Sequence, residues 1–188
     1  MKKKLFAVVL VVAFIVAFLF FGTYKSSPQE LVKNDGLQIL SSVESISISD
    51  INIFPCIVDN SESENSQLLM YVTEEKTFLG KTFYKAITSH LCNLENINDK
   101  ESISENSLAT YIDEENIVYY GILPEECENV FINGKNINVE KRTINIENKI
   151  CNFNVYYGVF NESEIITESY YFDLAGEKHP FDLDVLYF

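Results

Sequence analysis

The side chains with which this chain could do chemistry are two histidines, four cysteines and 28 carboxylates. His90 directly follows Ser89, and His179 precedes Pro180. Acyl transfer by a serine needs a nucleophile, a base and an orienting acid brought together in space. The chain has no Gly-x-Ser-x-Gly turn to present such a serine. Its seven glycines form neither a phosphate-cradling loop nor a dinucleotide fingerprint. Cys-x-x-Cys and His-x-x-x-His spacings are missing too, so no zinc centre is expected. The sequence therefore names no catalytic residue, no cofactor and no metal ligand.

Carboxylates are too common here to point anywhere by themselves. Asp113-Glu114-Glu115 and Asp182-x-Asp184 are adjacent acids, but a glycosidase needs two carboxyls at a set separation across a cleft. Asp59–Asn65 strings together oxygen-bearing side chains, which suits a hard cation. It lacks the glycine at the sixth place and the glutamate at the twelfth that a helix-loop-helix calcium site requires. A solvated loop is the expectation.

Cys56, Cys92, Cys127 and Cys151 all lie beyond the N-terminal apolar run. Cys56 and Cys151 sit in apolar stretches, whereas Cys127 sits in the acidic Glu-Glu-Cys-Glu loop. A free loop thiol in an oxidising compartment is a liability. Disulfides are therefore expected, with Cys127–Cys151 and Cys56–Cys92 as the pairing among the three that four cysteines allow. Each would close a moderate loop. A loop of about 25 residues is worth roughly 3 kcal/mol on chain-entropy grounds. Redox catalysis is not expected, because Glu125, Glu126 and Glu128 disfavour a thiolate at Cys127.

What must position these residues begins with Met1-Lys-Lys-Lys4 and an apolar run from Leu5 to Gly22. Eighteen residues of helix span about 27 Å, close to the hydrocarbon thickness of a bilayer. A cleaved signal peptide is the alternative. It would have a shorter apolar region and end in small residues, whereas Phe20 here stands at one of the two places they should occupy. The reading is a retained single-pass anchor in the cell membrane. Positive charge stays in the cytoplasm, so the N-terminus is inside and the C-terminal part outside. The expected organisation is a basic start at 1–4, a transmembrane helix at 5–22, a stalk at 23–37 and an extracytoplasmic domain at 38–188.

After the three N-terminal lysines come 11 basic residues against 28 acidic ones, a net charge of −17. Such a surface repels polyanions, so nucleic acid is not an expected partner. The outer part is long enough for one domain with a real core. Three acidic, Ser/Asn-rich stretches read as loops: Asp59–Gln67, Asn96–Asn106 and Glu125–Asn129.

Between the loops the pattern is period two, rich in Ile, Val, Tyr and Phe, which is strand chemistry. Ser45–Ser49 alternates. Leu68–Val72 and Thr82–Thr88 read as strands joined around Leu79-Gly80. Asn133-Gly134 separates two alternating runs and is the strongest hairpin signal. Glu164–Phe172 reads as a strand, with a turn at Leu174–Lys178 and a further pairing strand from Phe181. Only Gln29–Ser42 offers a helix beyond the apolar run, with a turn or two after Pro28. The fold class is mainly β, an N-terminal transmembrane helix followed by an antiparallel β-sandwich-like domain.

Val118-Tyr-Tyr-Gly121 has a copy in Val155-Tyr-Tyr-Gly158. Each ends a strand-like run and is followed by an acidic turn. The distances to the next turn glycine differ, from Gly121 to Gly134 and from Gly158 to Gly176, which argues against a duplicated unit. Two strands of one antiparallel sheet is the better reading, with the adjacent tyrosines on opposite faces. An exposed aromatic ladder is the sharper alternative.

The run Tyr71-Val-Thr-Glu-Glu-Lys-Thr-Phe-Leu-Gly-Lys-Thr-Phe-Tyr84, then Tyr119-Tyr-Gly-Ile, Asn129-Val-Phe-Ile-Asn-Gly-Lys135 and Phe172-Asp-Leu-Ala-Gly-Glu-Lys178 occur in this order. Over residues 51–178 the chain resembles small single-pass, membrane-anchored extracytoplasmic proteins of Gram-positive bacteria. That resemblance implies a β-rich outer domain and no particular activity. The four cysteines and the Glu-Glu-Cys-Glu loop depart from it. The expected function is a protein-binding or scaffolding module facing an envelope protein. A cell-surface hydrolase and a secreted factor are the alternatives.

Overall fold

The structure is a computed structural model, which describes residues 9–12, 22–59, 67–92, 103, 106–111, 115–146 and 149–183. Val9–Val12 and Gly22-Thr23 are helical. Among the described residues no helix is long and apolar enough to cross a membrane. Most of the run Leu5–Gly22, on which the expected span rests, lies outside the described residues, as do most of the loops read at Asp59–Gln67 and Asn96–Asn106.

Most of the other described residues form antiparallel β-structure in two sheets. The first carries β1 (Gln38–Ser42), β2 (Ile46–Ile48), β3 (Ile51–Asp59), β4 (Gln67–Phe78) and β5 (Lys81–Cys92). Its order is β1-β3-β4-β5, with β2 beside β1 on the same edge of β3. Pro55 explains why that edge partner is broken in two. It has no N–H to donate, and β1 ends with Ser42 opposite Cys56 while β2 resumes with Ile46 opposite Ile53.

The second sheet carries β6 (Ser107–Tyr111), β7 (Asn116–Leu123), β8 (Cys127–Ile132), β9 (Lys135–Ile146), β10 (Lys149–Asn161), β11 (Ser169–Asp173) and β12 (Lys178–Pro180). The order is β12-β11-β8-β9-β10-β7-β6. This sheet curls into a half-barrel. Two clusters show how. Val118, Tyr120, Ile122, Phe153 and Val155 pack against Ile53, Ile57, Leu68, Met70 and Val72 of the first sheet. From the opposite face of the same strands, Tyr119, Leu123, Tyr156 and Phe160 pack inside the curl with Val130, Ile132, Tyr171 and Phe181. β7 and β10 are thus apolar on both faces, which is why they lack the clean alternation of a half-solvated strand.

The two Val-Tyr-Tyr-Gly stretches are neighbours in β7 and β10. Tyr119 is opposite Gly158, Tyr120 opposite Tyr157, and Gly121 opposite Tyr156. Tyr119, Tyr120 and Tyr156 are buried and Tyr157 is half-buried. The exposed-ladder alternative therefore fails, and the motif is a core device.

Asn133-Gly134 and Leu79-Gly80 both form the expected two-residue hairpins, with positive φ at each centre. The segment read as a stalk carries α1 (Pro28–Asn34), capped by Ser27, whose hydroxyl accepts from the Glu30 N–H. Leu31 and Val32 bury against Phe54, Val58, Leu69 and Tyr71 on the outer face of the first sheet. Tyr71 donates its hydroxyl to Asp35 at 2.6 Å, which fixes the end of the helix. One strand is shorter than expected. Glu164–Glu168 belongs to no ladder, and β11 begins only at Ser169. Asn133 occupies that segment instead, donating to Ile165 O and accepting from Thr167 N. Nor does a strand start at Phe181; β12 ends at Pro180, and Phe181 N donates to Ser169 O.

Candidate functional site

The four cysteines are unbonded, which corrects the expected bridges. Cys56 pairs with Leu69, and Leu68 pairs with Cys92. These rows are adjacent, so the two thiols stand on opposite faces of the sheet. Cys56 packs under α1 and Cys92 in the inter-sheet core. Cys127 lies inside the curl, and Cys151 beside the inter-sheet core, with β9 between their strands. These are opposite faces of the curled sheet, so the two thiols point apart. Cys127 is 1% exposed, so the acidic loop does not present it to solvent. Burial pushes the Cys56 and Cys127 thiols up to about 12 and raises Cys92 and Cys151 as well.

The histidines are far from forming a triad. His90 lies in β5 opposite Met70, and Ser89 beside it points to the other face. His179 lies in β12 opposite Tyr171, whose ring stacks on it at 4.9 Å. Its Nε2 is 2.9 Å from Asp173 Oδ2. The other oxygen of Asp173 accepts from Ala175 N and Glu177 N, closing the Gly176 turn. That histidine bond, then the backbone donors, hold the Asp173 carboxyl below the usual carboxylate range. Asp173, Glu177 and His179 bring three potential ligand atoms within 4.8 Å. Their geometry is already explained by the turn they close. Among the acids weighed in the sequence, Asp113, Glu114 and Asp184 lie outside the described residues.

A groove of about 590 Å³ runs between β7 and the segments 162–170 and 178–183. Its floor is Ile117 and Tyr119 of β7 with Phe181, and one wall is the unladdered run Glu164–Glu168. Glu162, Glu164, Glu168 and Asp182 line it with Lys178 as the cation among them. Lys135 clamps both oxygens of Glu164 at 2.9 and 2.7 Å, which holds that carboxyl below its usual range. Lys178 lies 3.5 Å over the Tyr170 ring and 4.0 Å from Glu168. Ile165 remains 80% exposed on the rim.

Sequence reasoning missed the groove, because its residues come from three distant segments. The Asp173–His179 contact did have a signal, an aspartate and a histidine flanking a glycine turn. No protein family, no curated protein and no solved structure matches the chain.

Proposed function

We propose that this protein is a membrane-tethered binding module whose groove takes an extended, basic segment of an envelope protein. The observation that carries the reading is the wall Glu164–Glu168. It joins no strand ladder among the described residues, its backbone is held by Asn133 through Ile165 O, Thr167 N and Glu168 O, and carboxylates flank it. With that backbone already engaged, charge and side-chain contacts hold the peptide, and pockets along the groove set its specificity. Ile165 and the aromatic floor supply apolar contact, while Glu162, Glu168 and Asp182 favour cations. The tether rests on the Leu5–Gly22 run behind three lysines, with Val9–Val12 each more than half exposed. It faces outward by the positive-inside rule.

In-cell crosslinking of the tagged full chain, followed by mass spectrometry, tests this against an anchor-only control. A basic envelope partner enriched over the control, and lost with Glu164→Lys plus Glu168→Lys, is the expected result. Failure to enrich any partner, together with turnover of a peptide, glycan or ester panel by the purified protein, would replace the binding reading with an enzymatic one.

A further inference from the structure

Two hairpins in this fold use the same turn with different residues. Asn133-Gly134 joins β8 to β9 with φ of +49° and +72°, and Leu79-Gly80 joins β4 to β5 with φ of +51° and +75°. Asparagine tolerates the left-handed region because its side chain bonds locally to the backbone. Leucine has no such compensation. Strain of this kind persists where the residue serves something other than the fold.

Leu79 has no packing role to explain it. It is 88% exposed, and Phe78 beside it is 52% exposed. The hairpin projects past the sandwich: residues 76–82 are exposed on both strands. Charge reverses there. In a chain of net charge −14, residues 76–82 carry Lys76 and Lys81 and no acid; Glu74 below them pairs with Lys76 at 2.8 Å and lies 3.9 Å from Lys85, which leaves Lys81 nearest the turn.

The hairpin is also tied to the end of the apolar N-terminal run. Lys25 exchanges both backbone hydrogen bonds with Tyr84 at 2.8 Å. Tyr24 donates to Glu74 at 3.1 Å, under the Lys76 ammonium. At roughly 3.3 Å per strand residue, the Leu79 turn lies only about 15 Å along the hairpin from that bridge.

We propose that the Phe78–Leu79 tip docks into the headgroup region of an anionic bilayer, the membrane from which the chain emerges. The inference rests on the tethered reading above. Leucine and phenylalanine enter the interface, and Lys81 reaches lipid phosphates along its alkyl stem, while Lys76 stays paired with Glu74 at 2.8 Å. The acidic body is repelled from the same surface, so one contact fixes the domain's orientation.

The chain has no tryptophan, so one introduced residue reports its own surroundings. The full chain is reconstituted in two sets of vesicles of phosphatidylglycerol and phosphatidylcholine, with the phosphatidylcholine brominated near the headgroup end of its acyl chains in one set and near their termini in the other, so that both the interface and the bilayer centre are reported. Thr82→Trp reports the tip, Leu174→Trp a different exposed turn, and Phe14→Trp the apolar run. The expected result is loss of most Thr82→Trp emission to brominated lipid, with Leu174→Trp unquenched. Adding Leu79→Asn to Thr82→Trp should restore the emission while leaving the thermal midpoint equal or higher.

Quenching of Phe14→Trp without quenching of Thr82→Trp overturns the tip contact and leaves the tether standing. Quenching at neither position sinks both readings. Quenching of Thr82→Trp alone keeps the tip contact and removes the tether. Quenching that persists with Leu79→Asn shows that leucine is not the contact and overturns the proposal.

Discussion

Tyr156 lies directly over Gly121 of the neighbouring strand. A β-carbon added at Gly121 would stand 2.6 Å from Tyr156 Cε1 and 2.6 Å from the Asn106 carbonyl oxygen. The glycine of one Val-Tyr-Tyr-Gly stretch is thus the space into which a tyrosine of the other fits. Gly121→Ala should destabilise the domain by about 1–3 kcal/mol through overpacking against backbone that cannot yield. Gly158→Ala should cost less, because its nearest neighbour is Ile137 Cδ1 at 2.9 Å, the end of a flexible side chain. Urea unfolding of both variants checks the order; equal midpoints would contradict this account of the pairing.

The bond from Tyr71 to Asp35 ties α1 to the first sheet. Tyr71→Phe keeps the ring in its buried place and leaves the carboxylate without that donor. The expected loss is about 1.5–3 kcal/mol, the usual range for a hydrogen bond to a charged group. Chemical denaturation measures it. Asp35→Asn, which keeps an acceptor, should lose less.

Thiol chemistry should be slow in the native state. All four thiols are pushed away from the reactive thiolate by burial, and Cys151 is the half-exposed one. Timed alkylation of unreduced native protein should label Cys151 first and Cys92 last. Recovery of any disulfide-linked peptide from that protein would reverse the assignment of free thiols.

The Asp173 carboxyl titrates below its unfolded value, so the folded state binds that proton less tightly than the unfolded chain does. Its contribution to stability is complete above the ordinary aspartate range and is lost as pH falls through the lowered value. Asp173→Asn should lower the thermal midpoint near neutral pH and flatten the acid limb below about pH 4. Melting curves across that range decide it; an acid limb as steep as that of the parent protein would rule it out.

Much of the architecture is legible in the sequence because hairpin turns and strand alternation are local. Asn133-Gly134 announces a turn by the φ values it tolerates, and Ser45–Ser49 announces a strand by its alternation. Pro28 and Ser27 mark the start of α1. The repeated Val-Tyr-Tyr-Gly also reads correctly as two strands of one sheet. Its burial does not. A tyrosine pair in a strand looks the same whether the second face meets water or another layer, and here the curl of the sheet supplies that layer.

Amino-acid types by themselves determined the antiparallel β class, the acidic surface, the hairpins and the lack of familiar catalytic spacings. Tertiary structure alone decided which face each cysteine takes. One residue of register moves a side chain across a sheet, so sequence proximity paired Cys56 with Cys92 while the pleat separates them. It alone brought Ile117, Glu164 and Phe181 to one groove, because closure of a half-barrel depends on which distant strands pair. It also left Leu79 in a turn that asparagine would fill more easily, a conflict visible only once φ and exposure are both known.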